Sequence, residues 1–160
     1  EVSVQSFYFC ASSLPITYLG AKPVFVVLNG NLEYGPCAAG GGDKRPYRKI
    51  GKKPKAIVPV ALYGMPYDCK RIMEIADRYD IPVVEDAAEG FGSKFDGRIL
   101  GTFGKFGVLS FNGNKMITTS GGGALVCQSV EDKNTVMWYA TQRVMLILTI
   151  SIRPLATTIV

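Results

Sequence analysis

Two apolar runs flank one amphipathic segment between residues 55 and 86, and they leave this chain few architectures. Lys55 to Leu62 (KAIVPVAL) is rich in β-branched residues and predicts a strand. Pro66 to Asp80 predicts a helix. Ile72, Ile75, Ala76 and Tyr79 fall at i, i+3, i+4 and i+7, which places them on one face. Asp68 is the candidate N-cap. Ile81 to Asp86 (IPVVED) predicts another strand, apolar up to an acidic end. Strand, helix and strand with short links make a βαβ unit, because parallel strands need a crossover. The fold class is therefore α/β, with a sheet at least partly parallel.

Further strands are expected at Pro23 to Val27, read as buried, at Val108 to Phe111, and at Ala124 to Cys127 after a turn at Gly121 to Gly123. Residues 29 to 49 are different: rich in Gly, Pro and charge, without any period.

Composition removes several function classes. The 160 residues are 48% hydrophobic and 19% charged, enough for one real core and unlike a disordered, collagenous or coiled-coil chain. A net charge of +5 and a pI near 9.1 permit an anionic partner. The basic residues are scattered and not interleaved with aromatics, which argues against nucleic-acid binding. Cys10, Cys37, Cys69 and Cys127 form no CxxC pair and the chain has no histidine, so the usual zinc sites are excluded. Such cysteine usage fits a reduced, cytoplasmic compartment. No signal peptide is visible in a sequence that begins at Glu1. The most apolar run, Val144 to Ile152, is far short of the roughly 20 residues a membrane helix needs.

Ligands of open α/β sheets bind at the carboxyl ends of strands. Two polar constellations occupy such ends: Glu85, Asp86 and Glu89 after PVV, and Ser110, Asn112, Asn114 and Lys115 after VLSF. A carboxylate and a lysine near adjacent strand ends can make a defined site. They can equally make a surface ion pair beside a solvated loop, and spacing alone leaves both open.

The run from Lys55 to Cys127, with EDAAE, a GTFG turn, SFNGNK and a glycine run in that order, resembles the DegT/DnrJ/StrS family of sugar aminotransferases. Gln5 to Val26, including YLGAKPVFV, resembles the preceding part of that family. The recognisable portion is under half of a typical member, without the family's N-terminal phosphate-binding loop or C-terminal small domain. The resemblance implies a three-layer, mostly parallel sheet: a fragment of the large domain of fold type I pyridoxal-phosphate enzymes. It implies that Lys115 forms the Schiff base with pyridoxal 5'-phosphate, as a desolvated lysine amine can, and carries protons as general base and acid. Asp86 would pair with the pyridine nitrogen and keep it protonated. Ser110 would bind the phosphate. Glu89 would lie near the ring's 3'-oxygen, where many members carry glutamine or histidine. Phe9 would stack on the ring, although Tyr8 stands where the family usually has Thr.

The implied reaction moves an amino group from an amino acid, glutamate by resemblance, to a keto nucleotide-sugar, in a homodimer. Related sugar dehydratases carry histidine where Lys115 stands, which favours transamination. Two alternatives remain: a dehydratase or other lyase on the same scaffold, and a non-catalytic product of a damaged gene.

Residues 29 to 49 and everything after about Arg143 break the resemblance. Read one base later, codons for Asn29 to Lys49 can spell TETWNMDPALLEEAIRDRIAK, a helix-like segment of the family's kind. With the other shift, Arg143 to Val160 can spell GDAYPYYQHPSIGYNYR, close to another family segment. The domain expectation is thus a partial cofactor-binding large domain over 1–143, with 29–49 read as out of frame, followed by an aberrant tail over 144–160 read the same way.

Overall fold

The computed structural model describes residues 1–6, 8–26 and 53–141. The irregular segment 29–49, the tail 144–160 with its apolar run, and Val27 lie outside the described residues.

Strands β1 (Val2–Gln5), β2 (Pro23–Val26) and β3 (Ile57–Val58) form one sheet in the order β2-β1-β3, all parallel. Strand β4 (Val84–Asp86) continues it through parallel bridges Ile57 to Val83 and Val60 to Asp86. A hairpin of β5 (Lys94–Phe95) and β6 (Arg98–Ile99) follows β4. Strand β7 (Phe106–Ser110) then pairs parallel with β4, and β8 (Gly123–Cys127) antiparallel with β7. The sheet is mostly parallel, as the βαβ pattern required.

Helix α1 (Leu14–Tyr18) precedes β2. Helix α2 (Cys69–Tyr79) is the crossover between β3 and β4, and α3 (Val130–Ala140) follows β8. Asp68 caps α2 by accepting the Arg71 N–H at 3.0 Å. Asp80 ends it in the left-handed region at φ 49, which a short polar side chain tolerates.

Alternation along the strands builds the layers. Ile57 and Val83 enter a cluster with Ile72, Ala76 and Leu100, under α2. Their neighbours Val58 and Val84 pack on the other face with Val4 and Ile16 of α1. Helices therefore cover both faces. Among the described residues no helix is long and apolar enough to cross a membrane.

Three expectations need correction. The strand over 55–62 is short. Pro59 has no N–H to offer a ladder, the Val60 N–H goes to the Gln5 side-chain oxygen at 3.3 Å, and Leu62–Gly64 turns as a 3-10 helix. Strand β2 is only half-buried: Val26 is buried but Phe25 is 49% exposed. Among the described residues β2 pairs only with β1, and the Phe25 ring meets the stacked ring of Tyr8 at 5.3 Å instead of entering the core. The buried stripe of α2 is Cys69, Ile72, Ile75 and Ala76. Tyr79, in the last turn, stays 38% exposed, which an amphipathic ring tolerates.

Candidate active site

The acidic end of β4 sends its carboxylates to opposite faces, as alternation demands. Glu85 is fully buried on the α2 side. It accepts the N–H groups of Gly101, Phe103 and Gly104 at 2.9, 2.5 and 2.6 Å. Spacing alone groups Glu85 with the polar residues at the strand end. It instead clamps the GTFG turn onto β4, and its oxygens are taken.

Asp86 lies on the other face, where Val84 also packs. Register places it opposite Val108, and Ser110 follows two residues later on the same side of the sheet. Asp86 Oδ1 accepts the Ala88 N–H at 3.2 Å, and Oδ2 accepts the Ser12 hydroxyl. Ser12 belongs to the 3-10 turn Cys10–Ser12 that follows Phe9.

The loop after β4 brings Glu89 to Lys115. Lys115 Nζ lies 3.4 Å from Glu89 Oε1, and its side chain is only 12% exposed. The other Glu89 oxygen accepts the Tyr63 N–H at 2.7 Å. Tyr63 adopts a left-handed backbone, φ 54 and ψ 24, to present that N–H. After β7, the Lys115 N–H donates to the Asn112 carbonyl at 3.0 Å, and this tight turn folds Lys115 back toward the sheet. Asn112 and Asn114 are exposed and bonded to each other at 3.3 Å. Ser110 Oγ accepts the Asn112 N–H at 3.4 Å.

The bland alternatives fare differently. A surface pair does not describe a lysine with 12% exposure, and Glu89 at 31% is not a free solvated carboxylate. Phe9 is 69% exposed and stands clear of the core. Its link to the site runs through Ser12.

The donor set can be compared with what pyridoxal phosphate requires. The ring nitrogen needs a carboxylate, the aldehyde an amine, the phosphate a hydroxyl and backbone N–H groups, and the ring face an accessible aromatic. Asp86, Lys115 and Ser110 supply the carboxylate, the amine and the hydroxyl at or just after the ends of β4 and β7, and the exposed Phe9 is tied to Asp86 through Ser12, so these side chains fit the ring and the aldehyde and offer one donor to the phosphate.

Sequence reasoning missed Ser12 and Tyr63. Ser12 lies 74 positions from Asp86 and belongs to no local motif. Tyr63 acts through its backbone, which leaves no side-chain signature; the following Gly64 was the only hint of a turn.

Comparison with solved structures defines the class. A DegT DnrJ EryC1 StrS aminotransferase from Brucella abortus superposes with a TM-score of 0.74 at 33% identity, over 86% of this chain and 37% of that one. The fold is thus a fragment of the large domain of fold type I pyridoxal-phosphate aminotransferases. The sequence profile of the DegT/DnrJ/EryC1/StrS aminotransferase family matches residues 1–143, and the chain belongs to that family. Among curated relatives, EpsN of Bacillus subtilis strain 168 is 45% identical over 127 residues, covering 79% of this chain and 32% of EpsN. Its name assigns it provisionally to the pyridoxal phosphate-dependent aminotransferases. GDP-perosamine synthase of Escherichia coli O157:H7 is 42% identical over 126 residues, covering 79% of this chain and 33% of the enzyme. The chain therefore spans about a third of the length of these relatives.

Proposed function

We propose that this chain carries the cofactor-binding centre of a pyridoxal-phosphate-dependent aminotransferase acting on a keto nucleotide-sugar. The observation that carries the reading is Lys115, nearly buried and paired with Glu89, close to the strand end that bears Asp86. The cofactor, when bound, supplies an electron sink for the carbanion formed at the donor's Cα.

The remaining chemistry belongs to the chain. Lys115 is the catalytic residue: its amine would hold the cofactor at the aldehyde and would serve as the base that takes the proton from the donor's Cα. Asp86 holds a proton on the ring nitrogen, and a carboxylate is the group that can do so. Ser110 binds the phosphate. Glu89, placed near the ring's 3'-oxygen by family resemblance, faces the Lys115 amine, and the Tyr63 N–H holds its other oxygen. Phe9 covers the ring face. The donor is an amino acid, glutamate by family resemblance, and the active form is a homodimer by the same resemblance. Lysine at this position, in a chain without histidine, favours amino transfer over dehydration.

The test is direct. Purified chain mixed with pyridoxal phosphate should develop imine absorbance, and borohydride reduction should leave a cofactor adduct on Lys115. Lys115→Ala should show neither. An unsubstituted chain that also shows neither would sink the reading and favour a non-catalytic gene product. Where cofactor binds, an amino-sugar product supports transamination, and a deoxy sugar would transfer the reading to a dehydratase.

We also propose the domain reading: a partial large domain over 1–143 with 29–49 out of frame, and a tail over 144–160 likewise. Sequencing the coding DNA across both stretches checks it. A missing or extra base supports the shift; an intact printed frame removes it.

A further inference from the structure

We propose that Ser12 is a positioning residue for Asp86, its hydroxyl fixing the carboxylate and tying the Phe9 turn to the end of β4. Ser12 Oγ stands within reach of two acceptors, Asp86 Oδ2 and the Phe9 carbonyl at 3.0 Å. A hydroxyl has one proton. The Phe9 carbonyl already accepts the Ser12 backbone N–H at 2.9 Å. A carboxylate acceptor makes a charge-assisted bond, roughly twice as strong as a neutral one. The proton therefore goes to Asp86.

The consequence lies in how Asp86 is held. Its two oxygens accept from two different elements, Ala88 in the following loop and Ser12 in the turn before α1. That pair of bonds fixes both side-chain torsions. Among the described residues no lysine or arginine pairs with Asp86, so Ser12 is its one side-chain donor there. A carboxylate has about four lone-pair sites, so capacity remains for a further donor. A group held in its working orientation before the ligand arrives spends no binding energy on reorganisation. The tether stands on the geometry alone; its effect on cofactor binding rests on the function proposed above.

The test uses the full chain with Ser12→Ala, Ser12→Thr, Ser12→Val and Asp86→Ala. Thr and Val share a shape, so that pair isolates the hydroxyl even if the alanine variant folds poorly. In the absence of cofactor, Ser12→Ala and Ser12→Val should speed amide exchange at Ser12 and Ser13 about tenfold, while Ser12→Thr stays near the parent. Asp86→Ala should produce the same acceleration, and Ser12→Ala added to it should produce no more. Pyridoxal-phosphate affinity should fall about tenfold in the Ala and Val variants and be restored within about threefold by Thr. Unchanged exchange in Ser12→Val, or additive effects in the double variant, would overturn the tether. Coupled exchange with unchanged cofactor affinity would overturn the positioning role. Coupled exchange in a chain whose parent takes no cofactor supports the tether and removes the cofactor reading instead.

Discussion

Glu85 and Asp86 are adjacent carboxylates with unlike surroundings, and one rotation of the backbone separates them. Glu85 satisfies three backbone N–H groups in the core. Removing it strands buried donors, each costing about 1–3 kcal/mol. Glu85→Ala should therefore destabilise the fold by about 3 kcal/mol or more, read from the denaturant midpoint. Cys69, buried near Glu85, has its thiol pushed up to about 12, chiefly by burial. The thiolate is the reactive form. In the native chain at pH 8, alkylation should label the exposed Cys10 and spare Cys69, and mass mapping of labelled peptides checks this. Burial and the nearby Glu85 also raise the Tyr67 hydroxyl, so both groups stay neutral.

At the scale of elements, α2 is specified locally and α3 depends on its ends. Asp68→Ala removes a cap and should cost about 1 kcal/mol. Ile72→Ala empties a fully packed position and should cost about 2–5 kcal/mol. Thermal or denaturant unfolding separates the two effects. In α3, the Ser129 hydroxyl caps the Asp132 N–H at 3.0 Å, and Lys105 lies 3.2 Å from the Asp132 carboxylate. The Ser129 hydrogen bond and then Lys105 hold the Asp132 carboxyl below its usual range. Their contribution is complete above the unfolded value of about 4 and is lost as pH falls through the lower folded one. Protection factors of the amides in the first turn of α3, taken relative to the intrinsic exchange rate at each pH, should fall on acidification below about pH 4. Asp132→Asn should flatten that dependence.

At the scale of the whole molecule, the sheet is one body because close approaches are kept open. A Cβ at Gly104 would lie 2.6 Å from the Val83 carbonyl oxygen. Gly104→Ala should displace the GTFG turn from β4 and release the Glu85 bonds, visible as lost protection at Phe103 and Gly104. The βαβ order, the α2 face and the chemistry-bearing types Asp86, Ser110 and Lys115 were legible in the residue string. They are local: a period, a cap and a strand end each lie within a few positions. The exposure of Tyr79 and Phe25, the inward turn of Glu85 and the roles of Ser12 and Tyr63 were not. Each depends on which distant segment covers which face, and a period-2 or period-3.6 pattern carries no information about the covering partner. The sequence alone determined that the chain is α/β, that its sheet is largely parallel, and which side chains can serve at the strand ends. The tertiary structure decided which carboxylate is buried under α2 and which lies on the opposite face, what holds Lys115, and that Ser12 reaches Asp86 across 74 positions, because hydrogen bonds form between groups that folding brings within about 3 Å, whatever their separation along the chain.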